Sequence, residues 1–434
     1  MPSGWEWTTI GEVADTSLGK MLDKKQATGL HPTPYLRNIN VRWGSFDLSD
    51  LAEMDIRPEE FKRVLAQPGD VIACEGGEPG RAAVWRGPGA IAMQKALHRI
   101  QPTGAIVPDY LALLLRYLAL SRRLEPLFTG TTIKHLPQEK LRLVPVPLPP
   151  REEQKRIVAA IEEHLSRLDA AAGGAVRAVE RAHNLRAHLI EAAMRTAGDP
   201  VSLDHFAANG GITDGPFGSR LKSSHYTSSG ARVVRLENVG VGVFIDLKTH
   251  IAPEYFEELR KHEVVGGDLV VASLVSDRLR ACVVPGDLGP AIVKADCIRV
   301  RLKEGADPRF LNYALMAPSA NDFVIQNLRG VGRSRLGLSN VRQIPVPMAA
   351  EDVQRRIADD LDRSMTVLAR LEAQCTGALQ RVNQLRHAIL AAAFSGRLVP
   401  QDPDDEPASV LLERIRAERA AATPTKRTRK AKTS

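Results

Sequence analysis

One segment of this chain occurs twice, and the repetition limits the possible architectures more than any other feature. "PVPLPPREEQKRI" begins at residue 145, and "PVPMAAEDVQRRI" begins at residue 345. An ungapped alignment of 130–157 with 330–357 gives nine identities in 28 positions. Two earlier segments repeat with a displacement of 198: "LRNINV" with "VRLENV", and "PGDVIA" with "GGDLVV". The chain is therefore a tandem duplication, and its period of about 200 residues is far longer than the 20–50 of a solenoid repeat.

Each copy begins with a region of about 150 residues in which short strand-like runs alternate with turn residues. Short helical patterns are interleaved, such as "PDYLALLLRYLA" at 108–119 and "PRFLNYALM" at 308–316. We expect an α+β globule with mixed or antiparallel sheets. The Pro-Val-Pro segment then forces extended backbone, after which a long amphipathic helix begins.

The two long helices carry equal apolar stripes. Each stripe consists of ten apolar positions, from Ile157 to Leu189 in the first copy and from Ile357 to Ile389 in the second. Nine steps over 32 residues give a mean spacing of about 3.6 residues, which is the period of an α-helix. We expect the helices to pack on each other, and Gly173 and Gly174 to kink or break the first, because each glycine costs about 1 kcal/mol in a helix interior. The simpler interpretation is a pair of helices in the core of a compact domain. Some 40 residues, however, make a helix of about 60 Å, which is longer than a compact domain needs.

Two equal units in one chain imitate a homodimer, so the expected arrangement is a pseudo-two-fold with antiparallel helices. Duplex DNA has the same local symmetry, and half-sites on one face lie about 34 Å apart. The chain has 59 Lys+Arg against 51 Asp+Glu, a mild excess that favours a polyanionic partner. Its four cysteines lack paired spacing and no apolar run is long enough for a membrane span, which predicts a cytoplasmic protein without a membrane partner.

Several segments resemble the specificity subunit of type I restriction-modification systems. They are the paired "PVP…EQKRI" and "PVP…VQRRI" segments, "ITDGPFGSRLKSSHYTSSGARVVRLENV" at 212–239 and "AAFSGRLVPQDPDDEPASVLLERIRAER" at 392–419. "LGKMLDKKQATGLHPTPYLRNINV" with "PGDVIACEGGEPGRAAVW" in the first copy resembles a different target-recognition class of that family. The resemblance covers nearly the whole chain except its last dozen residues.

The resemblance implies a non-catalytic subunit that reads a bipartite, interrupted, asymmetric site in double-stranded DNA. It implies partners as well: two copies of an adenine methyltransferase subunit and, where restriction is present, restriction or translocase subunits. S-adenosylmethionine, and for restriction ATP and Mg, would belong to those partners, so we expect no cofactor in this chain. The implied domains are target recognition domain 1 (1–150), spacer helix 1 (151–198), target recognition domain 2 (199–348), spacer helix 2 (349–398), a C-terminal segment that packs back on the fold (399–422) and a basic tail (423–434).

Residues that meet DNA should be basic and amide side chains on glycine-rich loops. In the first domain we predict Lys20, Lys24, Lys25, Arg37, Asn38, Asn40, Arg42, Arg81, Lys95, Lys134 and His135. In the second domain we predict Ser219, Arg220, Lys222, Arg235, Asn238, Arg278, Arg280, Arg333, Ser334 and Arg335. Any single Lys or Arg can equally be a solvated surface charge.

Three loops add to this prediction. "GPFGS" at 215–219 is compatible with a simple tight turn, but the following "RLKSSHY" favours a loop that presents N–H groups and basic side chains to phosphates. "GTTIKHL" (130–136) and "GVGRSRL" (330–336) lie at matched positions, which suggests equivalent use near DNA. Trp43 fits either the recognition surface or the core.

Enzymatic alternatives find little support in the residues. The chain has no Asn/Asp-Pro-Pro-aromatic loop and no phosphate-binding loop with a terminal Lys-Ser/Thr pair. Asp70 and Glu75 are spaced as in some nuclease sites, but Gly77 stands where a lysine is expected, and a strand-end turn explains them better. No His-Cys spacing fits zinc, so no metal site is predicted. Three hypotheses remain: a DNA-addressing subunit, a single-chain methyltransferase or nuclease, and a coiled-coil tether without catalytic function.

Overall fold

A computed structural model describes residues 2–22, 29–216, 220–328 and 334–422. The chain divides into two compact units, one formed by 1–174 with 378–434 and the other by 175–377. Each unit therefore contains one sheet-bearing domain and half of each long helix. The predicted α+β class, with two globular domains and two long helices, is confirmed.

The first domain is built from short strands. They are β1 (Glu6–Thr9), β2 (Ala14–Leu18), β3 (Pro32–Leu36), β4 (Val41–Arg42), β5 (Ser45–Phe46), β6 (Ala52–Asp55), β7 (Leu65–Ala66), β8 (Val71–Cys74), β9 (Ala82–Val84), β10 (Ile91–Met93), β11 (Leu97–Pro102) and β12 (Pro145–Leu148). The helices are α1 (Ile10–Val13), α2 (Phe61–Val64), α3 (Pro108–Leu120), α4 (Gln138–Arg142) and the long α5 (Arg151–Ala197).

The second domain and the C-terminal region follow the same plan. The strands are β13 (Pro200–Ser202), β14 (Ala207–Asp214), β15 (Tyr226–Thr227), β16 (Ala231–Val234), β17 (His250–Ile251), β18 (Leu269–Ala272), β19 (Ala281–Val283), β20 (Ala291–Val293), β21 (Cys297–Leu302) and β22 (Pro345–Pro347). The helices are α6 (Pro253–Glu258), α7 (Pro308–Met316), α8 (Pro318–Gln326), α9 (Leu338–Arg342), the long α10 (Glu351–Ala393) and α11 (Ala408–Ala422).

The two domains share an antiparallel sheet and three strands of a mixed sheet. The fourth strand of the mixed sheet differs, because β7 pairs with β10 in the first domain whereas β15 pairs with β17 in the second. The first has an antiparallel sheet β2-β11-β8-β9 and a mixed sheet β6-β3-β10-β7, in which β3 and β10 are parallel. The second has an antiparallel sheet β14-β21-β18-β19 and a mixed sheet β15-β17-β16-β20, in which β16 and β20 are parallel. The Pro-Val-Pro segments form β12 and β22, which pair with β1 and β13 at the start of each copy. The repeat in the sequence is therefore a repeat of the fold.

The repeated glutamine explains much of the repeated motif at the start of each long helix. Gln154 is fully buried; its Oε1 accepts from the backbone N–H of Val107 at 2.8 Å, and its Nε2 donates to the carbonyls of Ala105 and Pro149, both at 2.9 Å. These bonds fix the first turn of α5 to the loop that leads into α3. The glutamine side chain is therefore a structural joint.

Gln354 makes the corresponding joint in the second copy. Its Oε1 accepts from the N–H of Asp307 at 2.9 Å and its Nε2 donates to the carbonyl of Ala349 at 2.8 Å. Asp307 in turn caps α7, because its carboxylate accepts from the N–H groups of Arg309 and Phe310. Position 307 lies 200 residues after Val107, so the same contact is made in both copies.

Helix α5 runs through Gly173 and Gly174 without interruption, so the predicted break is not present. A Cβ on Gly174 would meet nothing within 4 Å, so no close contact requires glycine there. At 1.5 Å per residue, the 47 residues span about 70 Å. The packing of both ends of the helix in the cores of the two units outweighs a propensity cost of about 1 kcal/mol per glycine.

Within each unit the halves of the long helices run antiparallel and are joined by an ion pair. In the first unit Arg386 of α10 pairs with Asp169 of α5, and in the second unit Arg186 of α5 pairs with Glu372 of α10 at 3.0 Å. Arg186 and Arg386 are equivalent positions of the repeat. Several residues of the apolar stripe, such as Ile161, Leu361 and Leu368, are buried, but Leu185 and Leu385 remain about half exposed, so the stripe is not buried at every turn.

The C-terminal helix α11 packs on the first domain. Leu411, Leu412 and Ile415 join the hydrophobic core that contains Trp5 and residues of α1 and α3. The N–H of Ala408 donates to the carbonyl of Gly4 at 2.9 Å, and Arg156 at the start of α5 pairs with Asp405 at 2.6 Å. The chain termini of the described part therefore meet in the first unit. Among the described residues no helix is long and apolar enough to cross a membrane.

Candidate nucleic-acid interface

In the first domain two predicted loops meet at one edge of the sheets. The turn at 37–40 lies against the β8–β9 loop, where the Asn38 amide donates to the carbonyl of Gly76 at 3.4 Å. Arg81 at the end of that loop donates to the carbonyl of Asn38 at 2.9 Å. A Cβ on Gly77 would lie 3.2 Å from the Asn38 amide nitrogen, and Gly77 has a φ of +78°. Glycine at 77 thus permits both the turn and the close approach.

The loop "GTTIKHL" joins the same edge. Thr129 and His135 exchange two backbone hydrogen bonds of 2.8 and 2.9 Å, and the N–H of Leu136 donates to the carbonyl of Glu75 at 2.7 Å. Lys134 and His135 are exposed at this loop. These contacts place the loop beside the glycine-rich loop between β8 and β9.

A buried histidine is hydrogen-bonded to the loop at 130–136. His98 is fully buried in β11, and its Nε2–H donates to the carbonyl of Leu136 at 2.7 Å. Burial lowers the pKa of His98 to about 4, so the ring is neutral at pH 7. The neutral ring has one N–H donor, which the Leu136 carbonyl accepts.

Lys20 and Lys95 lie next to each other where β2 ends. The N–H of Lys95 donates to the carbonyl of Lys20 at 2.8 Å, while the Lys20 ammonium pairs with Glu60. Lys95 is exposed and lines a cavity of about 380 Å³ together with Arg63 and Gln138. The sequence prediction missed Arg63; the adjacent basic pair "KR" in α2 was the signal that could have identified it.

Two predicted amides do not belong to the surface. Asn40 and Asn238 are 2% and 1% exposed, and each accepts from a backbone N–H three residues earlier, at Arg37 and Arg235, at 2.9 Å. Each NH₂ group donates to two further carbonyls across the turn. Because these side chains are buried and bonded to backbone, they hold the turn and are removed from the predicted interface.

Arg81 and Arg280 also act mainly within the fold. They occupy equivalent positions before β9 and β19, and both guanidinium groups donate to carbonyls of the turn that contains the buried asparagine. Only 16% of the Arg81 side chain is exposed. We infer that these two arginines hold the turn in place and do not contact DNA bases as predicted.

Other predicted arginines of the first domain are paired with carboxylates at the surface. Arg37 pairs with Asp50 at 2.8 Å, and Arg42 pairs with Asp47 at 3.3 Å. Exposed pairs of this kind contribute about 0–1 kcal/mol, so a phosphate can replace the carboxylate at little cost. The two side chains stay candidates for DNA contact.

In the second domain Arg235 is the centre of a polar cluster that the sequence prediction only partly found. Its guanidinium donates to Glu237 at 2.5 and 3.1 Å and lies 5.9 Å from the centre of the Tyr226 ring. The hydrogen bond from Arg235 lowers the pKa of Glu237, which is therefore ionised at pH 7. Lys294 donates to the Tyr226 hydroxyl at 2.6 Å. Glu237, Tyr226 and Lys294 were not predicted, because neither an isolated acid nor a lysine at a strand end gives a pattern.

The loops after β18 and before α9 meet as their counterparts do. The N–H of Leu336 donates to the carbonyl of Ser273 at 2.8 Å, and the N–H of Val275 donates to the carbonyl of Ser334 at 3.2 Å. Arg335 pairs with Asp296 at 2.6 Å and is half exposed, whereas Arg278 is exposed in the β18–β19 loop. The matched placement of the two loop pairs is thus present in both domains.

Arg220 and Lys222 are exposed beside the "GPFGS" segment. The Tyr255 hydroxyl donates to the carbonyl of Arg220, and the N–H of Lys222 donates to His225 Nδ1 at 3.3 Å. A Cβ on Gly215 would lie 2.2–2.5 Å from backbone atoms of residues 293–294, and one on Gly19 would lie 2.3–2.6 Å from backbone atoms of residues 93–94. Gly215 is therefore required by strand packing. The predicted Lys24, Lys25, Ser219 and Arg333, and the basic tail, lie outside the described residues.

Asp70, one of the two carboxylates considered as nuclease-like, has a structural role. Asp70 is buried and accepts from Arg99 at 2.6 Å and from the N–H of Gln67 at 2.8 Å. Asp268 does the same with Arg301 and with the N–H of Val265. The described residues contain no group of three or more His, Cys, Asp or Glu that could hold a metal ion. Burial also raises the pKa of Cys74 to about 11 and that of Cys282 to about 12, so neither thiol is ionised at pH 7.

The structure defines a duplicated α+β protein that carries one basic loop cluster on each copy. Residues 2–172 match the family model described as type I restriction modification DNA specificity domain. The EcoKI specificity subunit of Escherichia coli K12 is 23% identical over 99% of this chain and 98% of its own length, and the E. coli EcoBI specificity subunit is 25% identical over 70% of each.

Solved structures agree with this fold. A chain from a structure on complex assembly and conformational transition of the type I R-M system has a TM-score of 0.74 at 18% identity, covering 92% of this chain and 99% of that one. The HsdS subunit from Thermoanaerobacter tengcongensis has a TM-score of 0.55 at 17% identity, covering 92% and 98%. The chain is therefore similar to type I restriction-modification specificity subunits in sequence over nearly its whole length, and it shares their fold.

Proposed function

We propose that this chain is a non-catalytic DNA-binding subunit that recognises a bipartite, interrupted and asymmetric site and directs adenine methylation and restriction by partner subunits. The main support is that both copies place a loop cluster of the same construction at the same edge of their sheets, while the exposed side chains differ. Lys134 and His135 in the first copy correspond to Ser334 and Arg335 in the second. Equal scaffolds with unequal side chains suit two half-sites of different sequence.

The partners in this proposal are double-stranded DNA and two copies of an adenine methyltransferase subunit, joined for restriction by translocase subunits. S-adenosylmethionine, ATP and Mg act in those subunits. Val176, Leu185, Val367 and Leu371 of the long helices are each between 39% and 64% exposed, and such apolar residues are candidates for the methyltransferase contact. The buried free cysteines are compatible with a reducing cytoplasm.

Exchange of the second domain tests independent reading. Residues 199–348 would be replaced by the matching domain of another family member, and methylated adenines would be mapped across a genome in cells that also express the methyltransferase subunit. We expect one half of the methylated site to change while the other half stays the same. A change in both halves would contradict independent reading.

A four-residue insertion at Ala172 tests whether the helices set the spacing. Four residues add about one helical turn, or 6 Å. We expect the unread spacer to lengthen while both half-sites are retained. An unchanged spacer would rule out the long helices as the element that fixes the distance.

The two alternatives predict different results. A single-chain methyltransferase should bind S-adenosylmethionine when purified alone, which isothermal titration calorimetry would detect. A coiled-coil tether should show no sequence-dependent DNA binding. Selection from a randomised duplex library would therefore distinguish the tether from the proposed reader.

A further inference from the structure

A carboxylate of the first domain is fixed in the middle of its basic loop cluster. Glu78 lies in the loop between β8 and β9; its Oε1 accepts from the Trp43 indole N–H at 2.8 Å and its Oε2 accepts from Arg81 at 2.6 Å. The two donors come from different parts of the chain, so the carboxylate has a defined orientation. About half of its side chain, 51%, is nevertheless exposed.

The surroundings of Glu78 are those of the predicted DNA surface. The residues immediately before it, Gly76 and Gly77, contact the Asn38 amide, and Gly76 also lies against the His135 ring, which a Cβ on Gly76 would approach to 3.0 Å. A negative charge in this position is unfavourable near DNA phosphates. Some favourable contact with DNA must offset that repulsion if the loop meets the duplex.

The bases supply such a contact. An ionised carboxylate has about four acceptor positions, and Trp43 and Arg81 occupy two of those on Glu78. In the major groove the donors are the exocyclic amino groups, N4 of cytosine and N6 of adenine, and carboxylates accept from the former. Phosphates and sugar oxygens offer no comparable donor, so a fixed carboxylate discriminates between bases.

We propose that Glu78 is a specificity-determining residue of the first domain, which accepts a hydrogen bond from an exocyclic amino group of one base in its half-site. Trp43 and Arg81 are positioning residues that hold the carboxylate. This inference rests on the proposed function as a DNA reader. It adds one acidic contact to a surface otherwise predicted from basic and amide side chains.

The second domain has a carboxylate in the corresponding loop. Asp277 lies between β18 and β19, is exposed, and accepts from the Ser276 hydroxyl at 2.8 Å. That hydrogen bond lowers the pKa of Asp277, which keeps the side chain ionised at pH 7. A carboxylate held by a neighbouring donor therefore recurs in this loop, although the surrounding residues differ.

Selection from a randomised duplex DNA library tests the proposal. The full chain, its Glu78→Gln variant and a Glu125→Gln control would each be incubated with the library, and the bound duplexes would be sequenced. Glu125 is a matched control because it lies in the same domain, is 57% exposed and pairs with an arginine at 3.7 Å. For Glu78→Gln we expect roughly a tenfold loss of preference at one base pair of one half-site. Whether that base is cytosine or adenine is read from the wild-type motif.

The outcomes separate the proposal from its alternatives. An unchanged motif for Glu78→Gln overturns the inference, and so does a uniform gain of affinity for all duplexes, which would make Glu78 a general repulsive charge. If the wild-type chain selects no motif, the proposed function itself fails. Trp43→Phe removes one donor but keeps the carboxylate, so we expect about a threefold loss at the same base pair. This second variant decides the question if Glu78→Gln does not fold.

Discussion

The buried glutamine at the start of α5 gives the sharpest test of how the repeated motif works. Replacing Gln154 with alanine removes three hydrogen bonds, a partly buried one from the N–H of Val107 and two buried ones to the carbonyls of Ala105 and Pro149. Each contributes about 1 kcal/mol. We expect the free energy of opening of this part of the first unit to fall by about 3 kcal/mol.

Hydrogen exchange measured by mass spectrometry reports this change locally. If the free energy of this local opening falls by about 3 kcal/mol, the amides that exchange through the opening should exchange more than 100-fold faster. The N–H of Val107 is one of these amides. Gln354→Ala removes two bonds of this kind, so its effect in the second unit should be about 2 kcal/mol.

The control is Gln380→Ala, which changes the same residue type on an exposed helical position of the first unit. It should alter the opening free energy by less than about 0.5 kcal/mol. If Gln154→Ala exchanged at the wild-type rate, or if Gln380→Ala were equally destabilising, the repeated glutamine would not be a joint and the repeat would need another explanation.

Three further predictions concern single residues. Lys95→Ala should weaken DNA binding similarly for all sequences and reduce the slope of log K against log salt by about 1, as measured by fluorescence anisotropy at several salt concentrations. Asp70→Asn should lower the free energy of unfolding by about 3 kcal/mol, because it leaves Arg99 without its buried partner, and denaturant titration would show this. The pKa of His98 in the folded state is about 4, below the ordinary 6.5. The free energy of unfolding should therefore be highest above pH 6.5 and should fall by up to about 3 kcal/mol as the pH falls toward 4. Denaturant titration at about pH 7 and about pH 4.5 would measure this loss, which should be absent from His98→Phe.

The long helices and the fold class were predictable because their signals are periodic and long. Stripes of nine steps over 32 residues determine a helix face whatever the neighbours do. The break at Gly173 and Gly174 was predicted wrongly, because propensity is a local quantity and tertiary packing at both ends of α5 exceeds it. The half exposure of Leu185 and Leu385 could not be predicted either, since a stripe does not reveal which of its turns meet a partner.

The loop surface was predictable only in outline. The sequence matched "GTTIKHL" with "GVGRSRL", and the two loops make corresponding contacts in the two copies, because matched positions in a duplicated chain imply matched positions in space. The sequence did not predict that each of them lies beside the loop between two strands of its own domain. The role of single side chains was harder to predict. Asn40 and Asn238 are of a residue type that often contacts bases, but in this structure they stabilise turns through hydrogen bonds with the backbone. Burial distinguishes the two uses, and burial in a turn depends on contacts distant in sequence.

The division between repeated and varied residues supports two different half-sites. Some positions that are identical in both copies, such as Gln154 with Gln354 and Asn40 with Asn238, are buried and bonded to backbone, so a change at these positions costs stability. Exposed loop positions differ between the copies: Lys134 faces solvent where the second copy has Ser334. A surface residue can change at a cost of about 0.5 kcal/mol or less, whereas a buried joint cannot. A duplicated scaffold under these constraints keeps the same buried side chains in both copies, while the exposed loops that contact DNA diverge. If these loops had stayed identical, the protein could recognise only symmetric DNA sites.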